Sequence, residues 1–317
     1  MKKNYLIVLL TVILAVFAAA CGTKEATETS GSAESSKKTE EITVKHQLGE
    51  TKVAKNPEKV VVFDFGTLDT LDKLGIEAAG IPQENVPSYL SKYEDEKYEN
   101  VGGLKEPDFE KINEMEPDLI IISGRQQDAY EELSKIAPTI FMGVDTTKYM
   151  ESFKGNVTTL GEIFGKEEEA EKEFEKVEES IKALKEKASA GGGKALIILA
   201  NDGKVSAYGA GSRFGIIHDE FGFAAADEKI EVSTHGQSIS FEYIVEKDPD
   251  YLFVVDRGAV VGGESSAKQV VENDLVKNTK AYKNGKIIYL DPDYWYLSGG
   301  GLESVAGMTE EVSGSIE

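Results

Sequence analysis

The sequence predicts an α/β protein of two lobes. Each lobe is built on a mainly parallel sheet flanked by helices, and one long α-helix joins the two. Three observations carry this: six short apolar runs that do not alternate with polar residues, a helix–turn–strand segment written twice, and an amphipathic helix of about 22 residues between the copies.

The apolar runs are Val60 to Phe63, Leu119 to Ile122, Thr139 to Met142, Ala195 to Leu199, Leu252 to Val255 and Ile287 to Leu290. Continuous apolar strands suit parallel sheets covered on both faces. Helical patterns such as Thr67 to Leu74 and Phe109 to Met115 fall between them, which is the α/β order.

The repeated segment reads Phe109-Glu110-Lys-Ile112…Pro117-Asp118-Leu119…Arg125 in the first half. In the second it reads Phe241-Glu242-Tyr-Ile244…Pro249-Asp250-Tyr251…Arg257. Phe, Glu, Ile, Pro, Asp and Arg recur at one offset of 132 residues, without a gap. The physical content is a short helix, a Pro-Asp turn that stops it, a buried strand, and an Arg just past the strand's carboxyl end.

Between the copies, Phe174, Val177, Ile181, Leu184 and Ala188 form one apolar stripe of a helix from Glu167 to Ala188. The other faces are Glu and Lys, many in i,i+4 pairs. At 1.5 Å per residue such a helix spans roughly 33 Å, enough to cross between lobes. Gly191-Gly192-Gly193 ends it. The expected division is residues 42–156 for the N-terminal lobe, 157–190 for the connecting helix region and 191–317 for the C-terminal lobe.

The chain opens with Lys2 and Lys3, then an apolar run from Tyr5 to Ala20 that ends in small residues. This is a secretory signal peptide over 1–20, and the run is shorter than the roughly 20 residues of a permanent membrane span. Cys21 is the one cysteine, so no internal disulfide forms. A single cysteine at this place resembles a bacterial lipoprotein processing site, with Ala18 where an aliphatic residue such as Leu is usual. Residues 21–41, the lipidated Cys and a Ser, Thr, Glu, Ala and Lys stretch, read as a flexible tether. Net charge is −22, and −24 once Lys2 and Lys3 are removed, which argues against nucleic acid.

Arginine is scarce and selectively placed. Of 35 Lys plus Arg, only Arg125, Arg213 and Arg257 are Arg. Two occupy equivalent strand ends, where open α/β sheets bind ligands, so they should face each other across an interlobe cleft. Arg213 lies in the Gly-rich turn Tyr208-Gly-Ala-Gly-Ser-Arg213-Phe-Gly. A guanidinium offers a planar fork of donors to anionic oxygens. No GxxxxGK[ST] phosphate loop is present.

Of three His, His46 lies near the tether and His218 on a helix face, while His235 sits in the polar loop Ser233-Thr-His235-Gly236. Tyr294-Trp295-Tyr296 follows the last strand, where it would suit a ring-shaped ligand and offer a phenolate. Glu110 and Glu242 begin the two repeated helices. There a carboxylate also favours the helix N-terminus, while two equivalent anchors suit a two-fold partner.

Signal, repeat and single connecting helix together resemble the class III solute-binding proteins, which serve importers of iron-siderophores, haem and cobalamin. The resemblance covers about residues 42–317. It implies a class III periplasmic-binding-protein-like fold with limited lobe movement, no enzyme activity and no resident cofactor. It also implies a lipid-anchored monomer on the extracytoplasmic face of the cell membrane. The spacing Arg213…His235…Arg257…Tyr296, with Arg125 in Ser-Gly-Arg-Gln, is similar to the catecholate and petrobactin binders of that family. By that resemblance Arg125, Arg213 and Arg257 form a triad for an anionic ferric siderophore, with Tyr208, Tyr294 and Trp295 beside it. His235 and Tyr296 (or Tyr294) would reach the iron only when the siderophore leaves coordination sites open. Fe(III) with three catecholates carries a charge near −3, which three guanidinium groups match. Glu110 and Glu242 would dock to an ABC permease dimer served by its ATPase. Haem or cobalamin as cargo is the alternative within the class. The alternative outside it is an extracytoplasmic hydrolase, for which no G-x-S-x-G or HExxH motif is found.

Overall fold

A computed structural model of the chain describes residues 40–316. The expectations for the signal peptide, Cys21 and nearly all of the tether fall outside those residues. The described chain starts with an antiparallel hairpin, β1 (Glu41–His46) and β2 (Gly49–Ala54). The apolar pattern gives no strand here, because only Val44 and Val53 are buried. Thr51 Oγ1 pins the hairpin to the first lobe by donating to Thr139 O at 2.8 Å.

The N-terminal sheet contains β3 (Val60–Val62), β4 (Gly80–Ile81), β5 (Glu99–Asn100), β6 (Leu119–Ile122) and β7 (Thr139–Phe141). Its order is β5-β4-β3-β6-β7 and every pair is parallel. Helices α1 (Phe65–Lys73), α2 (Phe109–Met115) and α3 (Tyr130–Ile136) belong to it. Two long helices follow, α4 (Tyr149–Phe164) and α5 (Glu167–Gly191).

The C-terminal sheet contains β8 (Lys194–Asn201), β9 (Lys204–Tyr208), β10 (Ala224–Ala225), β11 (Gln237–Ile239), β12 (Tyr251–Asp256) and β13 (Ile287–Leu290). The order is β11-β9-β8-β12-β13, with β10 beside the start of β8. β9 and β11 are antiparallel, so this sheet is mixed. Its helices are α6 (Ile216–Asp219), α7 (Phe241–Lys247), α8 (Gly258–Val261), α9 (Ala267–Val271), α10 (Lys280–Lys283) and finally α11 (Leu302–Gly314).

The sequence repeat has a structural cause. α2 and α7 each run seven residues, and each is followed by a left-handed residue, Glu116 (φ 48°) or Asp248 (φ 38°). The recurring Asp then holds the neighbouring strand. Asp118 Oδ2 accepts from Glu58 N and Lys59 N just before β3, and Asp250 Oδ2 accepts from Lys194 N at the start of β8. A Pro-Asp pair thus ends a helix and pins the adjacent parallel strand in both lobes.

The stripe on α5 is buried as its spacing requires, with Phe174, Val177, Ile181, Leu184 and Ala188 all under one-tenth exposed. It joins one apolar cluster with Phe153 and Val157 of α4, Ile197 and Phe253 of the second sheet, and Leu302 and Val305 of α11. Burying each large side chain is worth about 1.5–3 kcal/mol. The helix is therefore packed along its length.

Candidate functional site

Three guanidinium groups meet at one tyrosine. β6 ends at Ile122, and the chain turns through a short 3₁₀ segment, Gly124–Ala129, that carries Arg125. Ser123 N donates to Gln126 Oε1, fixing that turn. β12 ends at Asp256, whose carboxylate accepts from Ala259 N and Ala267 N and so shapes the chain around Arg257. Arg213 stands on the loop between β9 and α6, which Asp219 steadies by accepting from Gly211 N at 2.7 Å. A single π-helical turn, Asp293–Ser298, supplies Tyr296. Such turns are rare and concentrate at functional sites.

Arg125 Nη2 donates to Tyr296 O at 2.6 Å and its Nη1 to Leu297 O at 3.1 Å. Arg213 Nη2 donates to the same Tyr296 carbonyl. Arg257 Nε donates to Tyr296 Oη at 2.9 Å, and its Nη1 to Asn201 Oδ1 at 2.9 Å. The three guanidinium carbons lie 5.9, 4.4 and 5.7 Å from the Tyr296 ring centre, in chain order. All three Arg are partly buried, and each keeps donors beyond those named.

The electrostatics follow. Burial pushes Arg213 down to about 10, and the like charge of Arg125 adds to that shift. Burial also lowers Arg125. Burial alone would raise the Tyr296 phenol. The Arg257 hydrogen bond and the charges of Arg213, Arg257 and Arg125 reverse this, so it lies below the ordinary value. A cluster of positive charge, partly desolvated and centred on an acidified phenol, is fitted to oxygen-rich anions.

The other expected residues are placed differently. Trp295 is 2% exposed, donates Nε1 to Glu311 Oε2 at 2.8 Å and meets Phe221 edge to face. It belongs to the core: its side chain points to Phe221 and Glu311, while that of Tyr296 points to Arg257. Tyr294 packs on Tyr89, with ring centres 4.8 Å apart, and faces α11 across Gly307. Tyr208 is also 2% exposed, set against Phe214 and covered by Gly236. It lies beneath the site. His235 is exposed on the loop that carries Gly236. His218 Nδ1 pairs with Phe223 O, and His46 bridges Leu48 N and Thr51 Oγ1, so both serve local structure. Glu110 and Glu242 are exposed in the first turns of α2 and α7.

Asn201 was not singled out in the sequence. It ends β8, at the same sheet edge as Arg257, and accepts from it. The signal was available, since a polar residue closes an otherwise apolar central strand at its carboxyl end. A groove of about 660 Å³ between α1, α5 and α11, lined by Lys73, Val177 and Leu302 among others, shares no residue with the Arg cluster.

The family described as "Periplasmic binding protein" matches residues 60–294. The petrobactin-binding protein YclQ of Bacillus subtilis (strain 168) is 56% identical over 319 residues, covering 99% of each chain. Its crystal structure superposes with a TM-score of 0.86 at 59% identity, over 88% of this chain and 99% of that one. The periplasmic catecholate-siderophore binding protein VctP of Vibrio cholerae gives 0.83 at 40% identity, over 87% and 100%. Siderophore-binding protein BauB, bound to a complex of two acinetobactin molecules and ferric iron, gives 0.81 at 36%, over 88% and 99%.

Proposed function

The chain belongs to the periplasmic binding protein family, and on that premise we propose that it captures an anionic ferric siderophore of the catecholate or petrobactin type. It then delivers this cargo to an ABC permease for iron uptake. The observation that carries the reading is the convergence of Arg125, Arg213 and Arg257 on Tyr296. The petrobactin and catecholate names of YclQ and VctP support the ligand class.

The physical logic is charge matching. A ferric tris-catecholate or mixed catecholate complex presents several anionic oxygens on one face, and three forked donors can meet them without new charges entering the site. Because the chain carries −22 overall, attraction is confined to this cluster, and the surrounding acidic surface rejects anions that cannot reach it. The role is binding and hand-over, not catalysis. Glu110 and Glu242 serve as the two permease anchors, and Cys21 carries the lipid that keeps the protein on the extracytoplasmic face.

The test is a titration that follows Trp295, the one tryptophan of the chain. It sits one residue from Tyr296, so its emission should report ligand at the cluster. Ferric petrobactin and ferric tris-catecholates should quench it stoichiometrically and tightly. A neutral ferric hydroxamate, haemin and cobalamin should bind far more weakly. Tight binding of haemin or cobalamin in preference to ferric catecholates would overturn the reading.

A further inference from the structure

Helix α11 caps itself only in part, Ser304 Oγ accepting from Gly301 N at 3.0 Å. The residue before its first turn is Gly301, which has no side chain to accept from the orphan N–H groups there. Those donors are met from α1, more than 230 residues earlier. Leu302 N donates to Thr70 Oγ1 at 3.1 Å, Glu303 N to Asp69 Oδ1 at 3.2 Å and Ser304 N to Asp69 Oδ2 at 3.0 Å. Tyr89 Oη lies 3.1 Å from Asp69 Oδ2 and 2.7 Å from Ser298 Oγ. With one proton it donates to the carboxylate and accepts from the serine.

The approach is too close for any other residue at 301. A Cβ there would fall 1.9 Å from Asp69 Oδ1 and 2.0 Å from Gly66 O. Gly66 is matched in turn, since a Cβ on it would stand 3.0 Å from Gly301 N. Asp69 itself is wholly buried. This junction immediately follows the turn that carries Tyr296 and Leu297, the residues whose carbonyls Arg125 and Arg213 hold.

We infer that Asp69 is a positioning residue of the binding site: by capping α11 from α1 it fixes the Tyr296–Gly301 segment against the N-terminal lobe, and so sets the distance between Arg125 and the second-lobe Arg pair. The inference rests on the proposed ligand site being the Arg cluster. The titratable groups that face Asp69 are Tyr89 from the 3₁₀ segment Ser88–Glu94 that follows α1, Tyr149 from α4, Tyr294 from the π-turn and Glu303 from α11. All are acidic, so no facing cation among them holds the carboxylate ionised, and burial pushes it up to about 7. Its proton is held more tightly in the capped state than in water. Opening of the junction therefore becomes easier as pH rises through 7.

The experiment uses the full chain with Asp69→Ala and the conservative Asp69→Asn. Without ligand, Asp69→Ala should raise hydrogen exchange at the Glu303 and Ser304 amides tenfold or more and shift Trp295 emission, while the β12 amides stay protected. Asp69→Asn should restore part of that protection and abolish its dependence on pH between 6 and 8. Ferric petrobactin should then bind Asp69→Ala at least tenfold more weakly than wild type. Exchange and emission unchanged in Asp69→Ala would overturn the inference, as would loosened amides with affinity within twofold of wild type. Should Asp69→Ala fail to fold, an Asp69→Asn protein matching wild type in both signals across that pH range overturns it instead. If wild type itself fails to bind ferric petrobactin, the functional reading falls, and the ligand-free signals still decide the role of Asp69.

Discussion

Arg257 donates to the phenol of Tyr296 at 2.9 Å, while Arg125 and Arg213 donate to that residue's carbonyl. One residue thus collects all three Arg of the chain, two from strand ends in different sheets and one from a glycine-rich loop. Ligand oxygens would replace or extend contacts that are already aligned, which limits the ordering needed on binding.

Each Arg→Ala change should weaken binding of ferric petrobactin. Removing one charge-assisted contact to a partly buried anion costs about 2–5 kcal/mol, or roughly 30-fold or more in Kd. Arg213→Lys should recover only part of the loss, because an ammonium lacks the planar fork. Trp295 quenching measures all of these. A loss below threefold in every single variant would refute the role of the cluster.

Tyr296→Phe separates the phenol from the ring. A hexadentate ferric siderophore already fills the iron shell, so its affinity should fall by less than about fivefold, roughly 1 kcal/mol. A tetradentate ferric complex leaves two positions open and should lose much more, as it should in His235→Ala. In wild type, a phenolate-to-iron absorption band should appear with tetradentate complexes and vanish in Tyr296→Phe. Equal losses for both ligand types would place the phenol in ordinary hydrogen bonding alone.

Much of this was legible in the sequence, and the reasons differ by residue. The repeat at an offset of 132 foretold α2, β6, α7 and β12, because local turn chemistry at Pro117-Asp118 and Pro249-Asp250 determines them. The scarcity of Arg pointed to the cluster without any distance. Trp295 and Tyr208, both expected beside the ligand, are buried; Trp295 packs in the core, while Tyr208 lies beneath the cluster, near enough to feel Arg213 and Tyr296. An aromatic run does not reveal which members of a π-turn face inward. Asp69 gave no signal, because its partners Glu303 and Ser304 lie more than 230 residues away and follow no periodicity. The antiparallel strands β9 and β11 were missed for a related reason, being short and partly polar.

The docking role of Glu110 and Glu242 predicts a split between affinity and transport. Both are exposed in the first turns of α2 and α7, fifteen residues before Arg125 and Arg257, and neither is among the residues that Arg125, Arg213 and Arg257 hold. Glu110→Ala with Glu242→Ala should leave the Kd for ferric petrobactin within twofold while iron uptake by cells falls at least tenfold. Normal uptake in the double variant, or a large affinity loss, would remove that role.

Cys21→Ala tests the anchor. With its lone thiol gone, the protein should accumulate as an uncleaved precursor or leave the membrane for the medium, as fractionation and mass spectrometry would show. A processed, membrane-bound variant would contradict lipidation at this site.

The burial of Asp69 makes a prediction about stability and pH with a defined sign. Its carboxyl is raised from 3.8 to about 7 in the folded chain, whereas the unfolded chain has the ordinary value near 3.9. The folded state therefore binds the proton more tightly. The stabilisation this gives is fully present below about pH 4, shrinks as pH rises, and is lost once pH passes about 7. A shift of about three units corresponds to roughly 4 kcal/mol at most, an upper figure because water entering the junction would lessen it. Asp227 works in the opposite direction. Its carboxylate, held down to about 2 by hydrogen bonds from Lys229 N, Lys247 and Tyr243, stabilises the fold above about pH 4 and fails only in stronger acid. Urea unfolding at pH 5, 6, 7 and 8 should thus show wild-type stability falling relative to Asp69→Asn as pH rises, by up to about 3 kcal/mol across the range. Asp227→Asn should follow wild type in the same window. Parallel curves for wild type and Asp69→Asn would mean that the carboxyl titrates normally, and that the donors of Glu303, Ser304 and Tyr89 fully offset its burial.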